Sequence, residues 1–349
     1  MALSENLRGV ACGVAAAALF GVSAPLAKLL LPGTGPLVLA ALLYLGGGLG
    51  LALYVLVRGA GRSAEAPLTR RELPLLAGVT VAGGMVGPVL MLVGLARLSG
   101  AETSLLLNLE GPFTILLAVT VFGEHLGRPG ALAAVLSLSG AAVLGFAPGE
   151  LRADLPGMAA VAGACLAWAL DNNLTQRLSL KDPVAVVRLK ALGAGGGMLL
   201  LSLLLRQQLP SPAVALGALS LGAASYGLSI VLDLLALRAL GAAREAAIFA
   251  TAPFLGALAA LPLLGERLRG ADLVAGALMA AGVVLLLRER HGHLHTHAAL
   301  EHEHLHTHDA HHAHAHEGPV REPHSHPHRH APLTHDHPHV SDLHHRHRH

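Results

Sequence analysis

Apolar runs about as long as a bilayer is thick recur along the first 290 positions, separated by short breaks rich in glycine, proline and charge. A spanning helix needs about 20 mostly apolar residues. On that measure the pattern predicts ten helices, at about 9–31, 35–57, 73–96, 101–122, 129–147, 155–179, 183–206, 213–237, 241–264 and 270–288. The breaks are marked by PGTGP after the first run, RGAGRSAEAPLTRRE after the second, GEHLGRPG after the fourth, PGELRADLPG at the centre and GERLRGAD after the ninth. The alternative way to cross a membrane, a closed barrel of roughly ten-residue alternating strands, does not match these runs. The expected fold is an all-α membrane protein.

The chain also matches itself. The stretch from Arg97 aligns with the stretch from Arg238: Gly100 meets Gly241 and Pro112 meets Pro253 without a gap. After a one-residue insertion, Gly123-Glu124 meets Gly265-Glu266 and Gly140 meets Gly282. A five-span unit is therefore repeated, with expected domains at 1–149, 150–290 and a tail at 291–349. Because five is odd, the second copy must insert upside down, giving the inverted repeats typical of secondary transporters whose site lies near the midplane.

Composition agrees with a membrane protein: 53% of residues are hydrophobic and 13% charged, where soluble domains carry about 25% charge. A formal charge of +2 and 3% aromatic residues set nucleic acid aside. Cys12 and Cys165 lie in apolar runs without a Cys-x-x-Cys partner and read as small core residues. The first run, after Arg8, is long enough to be an uncleaved span rather than a signal peptide, and the sequon Asn173-Leu174-Thr175 falls within an expected span. With the N-terminus inside, cytoplasmic segments hold twelve Lys and Arg residues and outer segments five, which favours both termini in the cytoplasm of a cell (inner) membrane.

A duplicated ten-span chain whose fourth and ninth spans each contain a proline and end in Gly-Glu-x-Leu resembles the EamA-type transporters of the drug/metabolite transporter superfamily. Here the motifs are Pro112 with Gly123-Glu124-His125-Leu126, and Pro253 with Gly265-Glu266-Arg267-Leu268. The resemblance covers residues 9–288. It implies that spans one to four and six to nine surround a central cavity while five and ten lie outside it. It also implies secondary transport, and the chain independently lacks a GxxxxGK[ST] phosphate loop. A polar residue early in the second span of each half is common in such proteins; Arg188 provides it in the second half, but Ala41 occupies the matching place in the first.

Charged and amide side chains deep in a span are costly and become site candidates by default. Glu110, two residues after Asn108 and just before Gly111-Pro112, ranks first: it is either a substrate or coupling carboxylate, or one buried against a basic residue. In span six, Trp168, Asp171, Asn172 and Gln176 share one helical arc and either line the pathway or face headgroups at the inner end. Arg188 and Lys190, two residues apart, point different ways, so at most one enters the bundle; the other snorkels to the surface, and Arg188 is the candidate counter-ion. Asp233, one turn after Ser229, is the remaining deep acid, and Lys28 is expected to snorkel outward. The glycine clusters at 46–50, 82–87 and 193–197 suit close helix packing, with Gly46 and Gly193 as alternative flexing points.

Of the 24 histidines, 23 follow Glu289. With almost nothing to bury, residues 291–349 are expected to be disordered and cytoplasmic. Neutral imidazole suits Zn, Ni or Co, and the alternating runs offer His291, His293, His295, His297, His302, His304, His306, His308, His324, His326, His328 and His330 as ligands. No cofactor is required for transport itself. Three functions follow. The first is transport of a small metabolite, export favoured over import, by alternating access with a metal-binding tail; the second is divalent-metal transport fed by that tail; the third is a membrane-anchored metal buffer or sensor. The spans contain no histidine, which favours the first. Expected partners are a small-molecule substrate, the lipid bilayer, metal ions at the tail and, as an alternative to a monomer, a second copy in a homodimer.

Overall fold

The structure, a computed structural model, describes residues 2–58, 66–121, 128–145, 154–175, 178, 181–288, 291–297, 300–306, 324–330 and 333–339. Up to residue 288 these fold almost wholly as helices: α1 (Ala2–Gly21), α2 (Ser23–Leu30), α3 (Pro36–Arg58), α4 (Leu73–Val79), α5 (Gly87–Leu95), α6 (Gly100–Leu106), α7 (Glu110–Thr120), α8 (Arg128–Gly145), α9 (Leu155–Thr175), α10 (Pro183–Leu204), α11 (Pro212–Gly222), α12 (Ser229–Leu240), α13 (Ala242–Phe249), α14 (Ala252–Leu264) and α15 (Gly270–Arg288). Several join end to end into longer rods. Among the described residues nine rods are long and apolar enough to cross a bilayer: Leu7–Gly33, Pro36–Arg58, Arg70–Leu95, Gly100–Thr120, Arg128–Gly145, Pro183–Leu204, Pro212–Leu240, Arg244–Leu264 and Gly270–Leu287.

The difference from the expected ten is α9. It is 21 residues long, but Asp171, Asn172 and Asn173 near its end make it more polar than the others. Rather than facing lipid with that end, α9 packs against α5 and α7, and Asn173 donates to the carbonyls of Ala169 at 2.8 Å and Thr114 at 3.1 Å.

Local sequence explains where the rods start and break. Ser99 and Glu102 form a reciprocal cap at the start of α6, Ser99 Oγ accepting from the Glu102 amide at 3.0 Å and Glu102 Oε2 from the Ser99 amide at 2.9 Å. Asp182 caps α10 ahead of Pro183. In the third rod, Thr80–Val86 is a π-helical stretch, so the next donor to the Gly83 carbonyl should be the residue five positions on. That residue is Pro88, which has no N–H. The Gly83 carbonyl is thus released from its own helix. In the fourth rod Leu107–Leu109 tightens to a 3-10 turn ahead of Gly111-Pro112.

Two buried clusters hold the bundle. One gathers Leu39, Leu43, Leu92, Leu95 and Met198, the other Leu105, Leu106, Val161 and Met279. Backbones cross closely where α3 meets α11: a Cβ on Gly46 would lie 2.1 Å from the Leu219 carbonyl oxygen, and one on Gly222 2.0 Å from that of Leu43. Packing is thus the observed use of Gly46, whereas a Cβ on Gly193 would meet only Thr80, at an ordinary 3.6 Å. Leu56, Val57, Leu204 and Leu216 are exposed on the outer surface, as bilayer contact requires.

Within the tail the described residues form four short strands. Strands β1 (His291–His297) and β4 (Leu333–His339) pair antiparallel, as do β2 (Leu300–His306) and β3 (His324–His330). His293 stands opposite His337 and His295 opposite His335; His302 stands opposite His328 and His304 opposite His326. The physical reason lies in the alternation itself, since a period of two is the period of a strand. His308 lies outside the described residues, as do the expected boundaries at 149/150 and 290/291.

Candidate functional site

Glu110 opens α7 directly after the 3-10 turn. Its Oε1 accepts a 2.7 Å hydrogen bond from Asn172 Nδ2 on α9. One turn earlier on α9, Trp168 donates through Nε1 to the freed Gly83 carbonyl at 2.9 Å, and Tyr44 of α3 donates its hydroxyl to the same oxygen at 3.0 Å. A single carbonyl released by proline geometry thus fixes both aromatic side chains. Asp171 is buried and pairs with Lys190 of α10, while Thr175 donates to its second oxygen at 3.2 Å. Such a buried pair is expensive to break, at roughly 3–5 kcal/mol.

Tyr44, Gly83, Glu110, Trp168, Asn172 and Lys190 line a central cavity of about 290 Å³. Its aromatic side is formed by Phe20, Tyr44, Trp168 and Tyr226. The Tyr44 and Tyr226 rings stack at 5.6 Å, and Phe20 meets Tyr226 edge-on at 5.8 Å. Four of the chain's ten aromatic residues line this one cavity. Because Lys190 is neutralised by Asp171, the charge balance of the wall leaves Glu110 as its distinctive acceptor. A second cavity of about 250 Å³ adjoins the first, with Phe20, Leu107, Glu110 and Trp168 in both walls.

The structure brings together Glu110, Trp168, Asp171 and Asn172 of the sequence candidates. Asn108 is buried and donates to the Leu105 carbonyl of its own helix at 2.9 Å, lining the second cavity only. Arg188 lines neither cavity; of the two neighbouring cations, Lys190 is the one that turns inward. Asp233 is likewise away from both cavities. Its carboxyl neighbours Glu245 on α13, and its Oδ1 is buried with no donor among the described residues. Gln176 lies outside the described residues. Sequence reasoning weighed Lys190 but preferred Arg188 as the inward cation, and it missed the roles of Tyr44, Tyr226 and Gly83. The usable signal for Gly83 was its spacing to Pro88.

At the end bearing Lys28, Glu266 accepts from the amides of Gly100 at 2.7 Å and Ala101 at 2.9 Å. Lys28 does not snorkel to solvent: it donates to the Leu98 carbonyl and lies 3.7 Å from Glu266. Arg269 joins Glu102 and Asp272, and its guanidinium is held above the usual arginine range first by the hydrogen bond to Asp272 and then by the neighbouring Glu102 charge. Arg97 donates to Asp154 at 2.8 Å, and that bond, with a second from the Gly157 amide, holds the Asp154 carboxyl below the usual aspartate range. At the opposite end Lys181 pairs with Glu72 at 3.0 Å. A Cβ on Gly100 would lie 2.5 Å from Leu264; for its repeat partner, Gly241, the counterparts of Leu264 and Glu266 are Phe122 and Glu124, which lie outside the described residues.

Long apolar rods around a partly polar central cavity make this a multi-pass membrane transporter by fold. The chain belongs to the EamA-like transporter family, whose profile matches residues 7–146 and again 155–288. An "uncharacterized transporter" of Methanothermobacter thermautotrophicus is 29% identical over 303 residues, covering 82% of this chain and 88% of the relative. A solved protein crystal structure shares the fold with a TM-score of 0.59, covering 80% of this chain and 96% of its own, at 22% identity. These likenesses point to a transporter rather than an enzyme.

Proposed function

We propose that this protein is a secondary transporter of a small organic metabolite, built from ten spans as two inverted five-span repeats and working by alternating access. The observation that carries the reading is the central cavity itself, where Glu110, Trp168 and Tyr44 from different rods meet. Glu266 and Leu264 of the second half close on Gly100 of the first. Two copies of one unit inserted in opposite senses would make and release such a contact between halves as they rock about a midplane site. With both termini in the cytoplasm of a cell membrane, the end clamped at Gly100 faces outward, which fits loading from inside and export.

The cavity favours an organic solute over a bare divalent ion. Its acidic and basic lining groups are Glu110 and Lys190, the latter already matched by Asp171, and no cluster of three or more His, Cys, Asp or Glu side chains occurs among the described residues. The tail is an accessory that gathers Zn, Ni or Co, supported by the facing histidine positions of its paired strands. The deciding experiment is an uptake screen in inside-out vesicles, with amino acids, organic amines and divalent metals offered side by side. Accumulation of an organic solute, lost in Glu110→Gln, is expected; movement of metal alone would replace this reading with the metal-transport one.

A further inference from the structure

The family resemblance implies that spans five and ten stand outside the transport path. Among the described residues α8 and α15 contribute nothing to the central cavity, but they do line the second one, through Ala133, Ala134 and Ser137 of α8 and Gly282, Val283 and Leu286 of α15. Its front is built where the two aligned prolines, Pro112 and Pro253, interrupt their helices. Small side chains make the room, since Gly111, Ala250 and Ala252 also face it. The back is closed by the tight crossing of α8 and α15, where a Cβ on Gly282 would lie 2.8 Å from the Ala133 carbonyl oxygen. Apart from Ser104, Asn108, Ser137, Trp168 and the shared Glu110, the wall is apolar.

We propose that the transported substrate is an amphipathic amine, its basic head held at Glu110 among the aromatic rings and its apolar tail housed in the chamber between α8 and α15. The head position follows from Glu110, whose carboxylate accepts one bond among the described residues, from Asn172, and from Phe20, Tyr44, Trp168 and Tyr226, whose ring faces attract cations. The tail position follows from continuity: Glu110 and Trp168 belong to both cavities, so a molecule bound at Glu110 reaches the chamber without crossing a further helix. A polar solute would leave about 250 Å³ of apolar space unfilled beside its own head, forfeiting the burial that an alkyl tail gains.

This inference rests on the transporter reading but fails separately from it, because it is read by binding rather than flux. Trp168 is the only tryptophan of the chain and sits at the junction, so it reports occupancy directly. Full-length protein in lipid nanodiscs would be titrated with primary alkylamines from ethylamine to decylamine, and with the matching alkyl sulfonates, while Trp168 fluorescence is followed. The apparent Kd for amines should tighten about threefold to fourfold per added methylene, and Glu110→Gln should erase the preference for amine over sulfonate. Filling the chamber should flatten the chain-length dependence. Gly111→Leu suits this, since a Cβ there meets only Leu286 at 3.7 Å, and Ala134→Leu is an independent second variant. Equal chain-length dependence in the native protein and both filled variants would assign the gain to the bilayer and overturn the proposal. So would strong quenching of Trp168 by lipids brominated in their acyl chains that saturating decylamine leaves unchanged, because the chamber would then hold lipid.

Discussion

Glu266 Oε1 accepts a 2.7 Å hydrogen bond from the amide of Gly100, a residue 166 positions earlier in the chain. The glutamate belongs to the Gly-Glu-x-Leu motif of one half and the amide to the first turn of α6 in the other. Negative charge at the start of a helix is favourable in itself, and Lys28 and the Ala101 amide add to the hold. Removing the carboxylate should therefore loosen this end of the bundle. In a background lacking Cys12 and Cys165, a cysteine at Ser23, on the central cavity wall, should react with an impermeant maleimide from the cytoplasmic side only. With Glu266→Ala added it should react from both sides. Unchanged one-sided labelling would show that Glu266 is not a latch.

Glu110→Gln keeps the shape of the side chain and an oxygen for Asn172, and removes only the charge. The lost interaction with a basic substrate, at roughly 1.5–3 kcal/mol for a charge-assisted hydrogen bond, corresponds to about a 10- to 100-fold fall in apparent affinity. Insertion and thermal stability should be kept. Normal transport by this variant would make Glu110 structural.

Lys190 and Asp171 offer a different signature, because theirs is a buried pair rather than a free group. Lys190→Met leaves Asp171 buried without its counter-ion and should cost roughly 3–5 kcal/mol, whereas the double variant Lys190→Met with Asp171→Asn should recover most of that loss. Thermal unfolding in detergent measures both. A double variant as unstable as the single one would mean that the two residues act separately.

The spans were legible in the sequence because hydrophobicity over 20 residues is a strong signal, and α9 was the exception because its polar end is satisfied by neighbours such as Thr114 rather than by lipid. The site was only partly legible. Glu110 and Asp171 stood out as intramembrane acids, but which of Arg188 and Lys190 turns inward depends on how α10 is rotated against α9, and a spacing of two residues does not encode that. Tyr44 and Trp168 meet at Gly83 from three separate rods. In the tail, the described strands follow the period of two in the histidine alternation, a signal that composition alone does not carry.

Asp154 gives a pH test outside the membrane. Its folded carboxyl is held below the usual aspartate value, first by Arg97 and then by the Gly157 amide. The stabilisation is therefore present above the unfolded pKa of about 3.9 and is lost as pH falls through the lower folded value. Asp154→Asn should lower the melting temperature slightly at neutral pH, the pair being solvent-screened, and the deficit should close below about pH 4. A deficit that stays constant across the acid range would assign the effect to helix capping at Gly157 alone.

The histidine tail can be tested on the full chain against a chain ending at Arg290. Free imidazole has a pKa of about 6.5, so most tail rings are neutral and able to ligate at about pH 7.5 and are protonated by about pH 5.5. The difference between the two proteins in calorimetry should be several bound Zn or Ni ions at the higher pH and none at the lower. Tethering holds those ions near the bundle at an effective concentration of the order of millimolar. Transport by the shortened chain should persist in metal-free buffer and lose its response to added metal. Equal metal binding by both proteins would remove the tail from the function, and complete loss of metal-free transport would make it part of the transport machinery instead of an accessory.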